Sequence, residues 1–406
     1  MAQVVPFTSA AKMHRERIMN LSWTPGTATT LLTTGANTQI KAYPYLRAIL
    51  LHVYQSATSF GGNLNASGDM PWSALSSIGI TDTNGSGIYG GQTFTGFDAY
   101  VVNLLMGQRN TEDPTLDPLS YKALGNFEYW LRIPFEYNPR TGAGSLPNMS
   151  ANATYGLNLV GNTLANIWQT APTTTPVLNV DVWMENWTLP DAQDLLGRNQ
   201  MQGPPLLGTT QYVTKQSYTG LTTNGANTVA LTRKGNMLRK WILVTRGGST
   251  IEGHAPRVAW AGAIGTGPGG GAAPNPFEFW WDGNRLSSDD PKFLLKKMVE
   301  EHGATAQAGA TAGPYVPQLP TGVCVYDFSA PFGRNWGGDG EGGWLATTQS
   351  SRLEFVGSNW FTASDTTPSL DVITMDVAPI ALANQYALDS QTGKLLYPAQ
   401  PEVRGG

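Results

Sequence analysis

Thr33-Thr34-Gly35-Ala36-Asn37-Thr38 returns almost letter for letter at Thr222-Thr223-Asn224-Gly225-Ala226-Asn227-Thr228. The first copy leads into Leu46-Arg47-Ala48-Ile49-Leu50-Leu51, and the second into Leu238-Arg239-Lys240-Trp241-Ile242-Leu243. Three more pairs keep the order. Leu157-Asn158-Leu159-Val160-Gly161 matches Leu353-Glu354-Phe355-Val356-Gly357, Pro176 to Val180 matches Pro368 to Val372, and Tyr129 to Phe135 matches Tyr326 to Phe332. A nearly constant shift through five matches implies an internal duplication. Its period is far longer than the roughly 20 to 50 residues of solenoid repeats, so each copy is expected to be a whole domain.

Composition points the same way. A chain of 406 residues is long enough for two domains, each burying its own core. With 47 Gly and 27 Pro set among abundant Thr, Val, Trp and Tyr, strands and long loops are favoured over helices. Charged residues are only 13%, a surface suited to packing against neighbours. The net charge of −4 gives no broad basic field for nucleic acid. One cysteine, Cys324, rules out an internal disulfide and reads as a small core residue. No apolar run approaches the roughly 20 residues of a membrane span, and the first residues lack the apolar core of a signal peptide, so synthesis and folding in a cytoplasm are expected.

Along the chain, Thr8 to Leu21 reads as a short basic helical arm. Tyr45 to Tyr54 is apolar on both alternating faces, as in a strand covered on both sides. Phe127, Tyr129, Leu131, Ile133 and Phe135 alternate with Glu128, Arg132 and Glu136, and Leu178, Val180, Val182 and Met184 with Asn179, Asp181 and Glu185. That period of two predicts half-buried strands with the carboxylates on solvated faces. Thr81 to Gly96 reads as a long loop, and long excursions between short strands suit Greek-key or jelly-roll connections. Pro190 to Gly208, with a helical turn over Asp191 to Leu196 and then Gly203-Pro204-Pro205, reads as the joint between halves. One clear helix is expected from Asp290 to Gly303, with Leu294/Met298 and Leu295/Val299 at i,i+4. The resulting division is an N-terminal helical arm at 1–21, sandwiches at 22–205 and 206–381, and a tail at 382–406.

Signals of chemistry are weak. No G-x-S-x-G elbow occurs, and His14, His52, His254 and His302 lack metal-ligand spacing. Gly265 to Gly270 fits G-x-G-x-x-G as letters, but Pro268 and Pro274 forbid the helix that would meet a phosphate. Asp82 to Gly87 resembles the start of a calcium loop without the Glu at its twelfth position, and reads as a polar turn. Glu128, Glu136, Asp181 and Glu185 are the candidate carboxylates for glycoside chemistry, but an outward alternation makes them scattered surface groups. No catalytic, cofactor-binding or metal residue is assigned, and no enzyme is expected. An alternative reading, a carbohydrate-binding or carbohydrate-cleaving tandem β-sandwich such as a phage receptor-binding protein, is carried by the β-rich, Trp-rich composition.

Tandem β-sandwiches in one low-charge chain resemble the double jelly-roll major capsid proteins of the tectivirus-like (PRD1-type) bacteriophages. The likeness rests on Met1-Ala2-Gln3-Val4, the duplicated sandwiches, the strand from Tyr129 to Tyr137, and Asp290-Pro291-Lys292 opening a helix before Pro320 to Tyr326. It implies an all-β fold of two eight-stranded jelly rolls with a few short helices. It further implies a homotrimeric capsomer of six-fold-like outline that tiles an icosahedral shell in the virion. Partners would be other copies of the chain, penton and minor capsid proteins, and an internal membrane touched by the N-terminal arm.

Overall fold

The computed structural model describes residues 5–55, 63–64, 69–105, 127–139, 141–151, 154–204, 210–223, 225–250, 254–258, 277–289, 293, 305–306, 318–319, 322–328, 344–347, 350, 352–361 and 365–378. The glycine run at 265–270, the tail at 382–406 and the helix expected at 290–303, except Phe293, lie outside them.

Sixteen strands carry the fold. In the first half they are β1 (Met13–Trp23), β2 (Thr30–Leu31), β3 (Tyr43–Gln55), β4 (Leu75–Thr81), β5 (Gly87–Gly91), β6 (Glu128–Pro134), β7 (Gly156–Gly161) and β8 (Leu178–Trp187). In the second half they are β9 (Gln211–Thr219), β10 (Ala226–Ala230), β11 (Met237–Arg246), β12 (Phe277–Trp281), β13 (Asn284–Asp289), β14 (Val323–Asp327), β15 (Leu353–Ser358) and β16 (Ser369–Val377). The first half forms sheets in the orders β1-β8-β3-β6 and β2-β7-β4-β5; the second forms β9-β16-β11-β14 and β10-β15-β12-β13. Adding eight to each label in the first half gives the second. Two four-stranded sheets in which sequence neighbours cross between layers make an eight-stranded jelly roll, so the chain is a double jelly roll.

The inner faces follow the period of two. Ile49, Leu51 and Val53 of β3, Tyr129, Leu131 and Ile133 of β6, and Val180, Val182 and Met184 of β8 fill the first core. Trp241 of β11, ringed edge-on by Phe279, Phe328 and Phe355, anchors the second. Four of the five sequence echoes fall on equivalent strands: β3 with β11, β6 with β14, β7 with β15 and β8 with β16. The echo around Gly35 and Gly225 does not superpose. Gly35 opens a 3-10 turn after β2, whereas Gly225 stands just before β10.

Three local expectations are corrected. The basic arm is a single turn of helix, α1 (Phe7–Ala10), and Met13 to Trp23 is a strand paired along its length with β8. Its informative spacing is Met19, Leu21 and Trp23, all buried and two residues apart as a strand requires. The loop at 81–96 is a hairpin: Asp82 Oδ1 accepts the N–H groups of Asn84 (2.8 Å) and Ser86 (2.7 Å), closing the turn between β4 and β5. Asp82 thereby serves the backbone, in the manner of an Asx turn. At 191–196 there is no helical turn. Asp194 Oδ1 instead caps the N–H groups of Leu196 and Arg198, with Gly197 at φ +73.

Candidate assembly interface at the seam between the rolls

A helix that the sequence did not announce builds the seam. α2 (Gly96–Leu105) leaves β5 and is apolar almost all round, as a helix buried on every side must be. Its start is fixed by a capping box. Asp98 Oδ2 accepts the Thr95 N–H (2.8 Å), and Thr95 Oγ1 accepts the Asp98 N–H (3.3 Å). A Cβ on Gly96 would lie 2.0 Å from the Trp72 carbonyl oxygen, so only glycine lets the helix begin this close to its own roll.

The second roll grips α2 along its length. At the first turn Lys215 Nζ of β9 lies 2.8 Å from Asp98 and 3.2 Å from Asp371 of β16. Asp371 also accepts Arg246 Nε of β11 (2.7 Å) and Ser217 Oγ (2.5 Å). Arg246 Nη1 reaches back into the first roll to Asp69 (2.9 Å), which pairs with Arg257 (2.6 Å) and His254 (2.6 Å) as well. The guanidinium carbons of Arg257 and Arg246 stand 4.6 and 5.8 Å from the centre of the Phe97 ring, within the reach of cation–π attraction. At the last turn Lys240 Nζ donates to the Leu105 carbonyl (2.9 Å) and pairs with Asp327 (2.6 Å). A cation there also suits the negative end of the helix dipole.

Ionisation is held by the pairing. Burial alone would raise the Asp69 pKa, but Arg246, Arg257 and the His254 bond outweigh it and hold the carboxyl well below its ordinary value. Asp371 is lowered in the same way, with burial opposed by Lys215 and Arg246. Burial pulls Lys215 down, yet Asp98 and Asp371 leave it raised. Three aspartates facing one lysine and two arginines keep the seam charged but balanced.

Backbone pairing joins the rolls too. Tyr89 of β5 and Val213 of β9 form a parallel bridge, so β2-β7-β4-β5 runs on into β9-β16-β11-β14 as one sheet. Beside it Gln211 Nε2 donates to the Pro134 carbonyl (3.3 Å), while Arg239 lies over Tyr137 and Trp344. All ten residues of β11 are buried, core on one face and sister roll on the other.

The candidate carboxylates are not gathered here, and the expectation that they are solvated fails for three of them. Glu185 is buried between Arg15 (2.7 Å) and Arg132 (2.6 Å), which hold its pKa low against burial. Glu136 is buried against Arg47 (2.8 Å) and Trp187 Nε1 (2.6 Å), and Asp181 takes Asn20 Nδ2 (2.6 Å). The cause is register: β1 sets Arg15 opposite Glu185 and Asn20 opposite Asp181. Only Glu128 stays exposed, 2.7 Å from His52. Their partners are arginine, histidine and N–H donors, an arrangement that holds strands together rather than moving protons. Cys324 is buried in β14, where desolvation pushes its thiol pKa up.

No family model matches the sequence, and no curated protein does. Solved structures do match. The structure of Sulfolobus Turreted Icosahedral Virus includes a chain with TM-score 0.54 at 10% identity, covering 90% of this chain and 91% of that one. The STIV MCP gives 0.53 at 12%, covering 90% and 97%, and the PBCV-1 virus capsid 0.51 at 12%, covering 90% and 94%. At such identities the likeness is one of architecture: this chain has the double jelly-roll fold of viral major capsid proteins, matched over both rolls.

Proposed function

We propose that the protein is a major capsid protein, a structural subunit that works by self-assembly and not by catalysis. The observation that carries this reading is the seam. Two rolls of identical strand order are joined by a shared sheet and a buried ion network, so that one chain presents two similar building faces at a fixed angle. Fold likeness to capsid proteins over 90% of the chain supports it. Three such chains around a three-fold axis would give six similar rolls, the outline needed for a hexagonal lattice position in an icosahedral shell.

In this reading the rolls divide at Gly203-Pro204-Pro205, and the chain resides in the virion with penton and minor capsid proteins as partners. The end of the molecule that carries the N-terminus would meet an internal membrane. Val5 bonds to Asn199 and Met201, which ties the arm to the 191–200 turn, and Leu195 and Leu196 at the tip of that turn are 105% and 77% exposed. Light scattering on the purified chain is expected to give three times the 43.5 kDa chain mass or a larger assembly. A stable monomer that binds or cuts a glycan would overturn the proposal in favour of the carbohydrate reading.

A further inference from the structure

Asn186 carries a buried amide with both ends bare. It follows Met184 of the first core by two residues on β8, so it faces inward, and it is 0% exposed. Among the described residues neither Asn186 Oδ1 nor Asn186 Nδ2 has a hydrogen-bond partner. An amide taken out of water without a partner is costly. The jelly roll does not itself ask for one at this point: the shift of 192 residues that carries Pro176 onto Pro368 carries Asn186 onto Ala378.

Three neighbours share its face at this end of the first roll. His14 of β1 is paired directly opposite Asn186, an arrangement that sets the two Cβ atoms roughly 5 Å apart. The ring of Tyr43 on β3 stacks on the His14 ring (4.8 Å between centres, 10° between planes). Because β8 lies between β1 and β3, that stack must pass over β8 beside Asn186. Asn148, in the short strand Leu146–Asn148, is paired opposite Tyr43 and is also buried. Its Nδ2 donates to the Lys41 carbonyl (2.7 Å), which fixes the amide and leaves its Oδ1 buried with no partner. His14 Nδ1 is the fourth buried atom of this group with none.

The mixture of donors and acceptors selects the ligand. Asn186 Nδ2 needs an acceptor, Asn186 Oδ1 and Asn148 Oδ1 need donors, and an imidazole nitrogen can be either. A cation would serve the acceptors and leave the Asn186 Nδ2 hydrogens bare; an anion would serve the Nδ2 and leave both carbonyl oxygens bare. Water donates and accepts, and a buried water makes about three hydrogen bonds to groups that otherwise lack them. We infer that the first roll has a built internal water site at this end, formed by Asn186, Asn148 and His14 and roofed by the stack of His14 on Tyr43. Water there links side chains of β1, β8 and the Leu146–Asn148 strand, in addition to the backbone ladder. The site belongs to the single chain, so it stands or falls apart from the self-assembly reading.

High-resolution crystal structures of the full chain and of Asn186→Leu test it. The leucine keeps the approximate shape of the side chain and removes both polar ends. Wild type is expected to show water within hydrogen-bond distance of both Asn186 and Asn148, and Asn186→Leu is expected to lose that density with the surrounding strands unmoved. Three results overturn the inference: the two amides bonded directly to protein groups with no density between them, a peak whose contacts have the shorter lengths of metal coordination, or density that persists unchanged in Asn186→Leu. If Asn186→Leu does not fold, the wild-type density decides alone, since the first two of these results are read from it.

Discussion

Lys215 and Asp98 belong to different rolls, yet Lys215 Nζ stands 2.8 Å from the Asp98 carboxylate with both side chains out of solvent. The lysine also neutralises Asp371, so a single ammonium group bridges the helix cap and the second sheet. Lys215→Met leaves two buried carboxylates short of a partner. A loss of about 3–5 kcal/mol in unfolding free energy is expected, the usual cost of breaking a buried pair from one side. Urea denaturation of the variant beside wild type measures it.

The same network sets a pH window. Asp69 and Asp371 have folded pKa values below their ordinary 3.8, so their contribution is complete above that value and is lost as pH falls through the folded values. Lys215 has a folded pKa above its ordinary 10.5, so its contribution is complete below 10.5 and is lost as pH rises through the folded value. Asp376 runs the other way: burial raises its pKa in spite of Arg233, and its protonation on acidification partly offsets the loss. Melting temperature against pH should show a plateau with acid and alkaline shoulders. Asp371→Asn should lower the plateau, and its gap from wild type should narrow below pH 3.8.

Phe97 and Phe293 should differ sharply in what they lend to folding. Phe97→Ala removes a fully buried ring from under two guanidinium groups and should cost about 3–5 kcal/mol. Phe293→Ala touches an exposed ring and should change the stability of the isolated chain by less than about 0.5 kcal/mol. Thermal and denaturant melts of both variants beside wild type, at one chain concentration, test the contrast.

Gly96→Ala should act on the seam through the first roll. The added methyl group meets the Trp72 carbonyl at 2.0 Å, and backbone cannot yield as a flexible side chain would. A loss of about 1–3 kcal/mol is expected, as for overpacking elsewhere. Hydrogen exchange should show the loss concentrated in α2 and its neighbours.

Cys324 should be silent while the protein is folded. Burial in β14 both shields the thiol and raises its pKa, and the thiolate is the reactive form. A chromogenic disulfide reagent should find no thiol in native protein and one per chain in denaturant.

What could be read in the residues was the pattern of the sheets. Tyr129-Leu131-Ile133 and Leu178-Val180-Val182 declare their strands, because a half-buried face imposes a period of two, and the shift between copies revealed two matching rolls. Asp181, Glu185 and Glu136 were misplaced because alternation tells which face a side chain takes, not what stands across from it. An arginine on a strand more than a hundred residues away buries Glu185. α2 escaped because a helix buried all round has no polar stripe, and its Val101-Val102 and Tyr100 suit a strand equally well. The pair Thr95 and Asp98, three residues apart as a capping box requires, was the one local sign of it. The seam network itself, spread over Asp69, Asp98, Lys215, Arg246, His254, Arg257 and Asp371, had no signature in sequence, since only the folded topology brings those positions together.

Domains within one chain usually move against each other. Here the bridge between Tyr89 and Val213 carries hydrogen bonding straight across the joint, and the paired charges beside it tie the two halves together. A joint of this kind resists the sliding of one half past the other. In a shell of the proposed kind, curvature would then have to arise at the borders between chains and not within one.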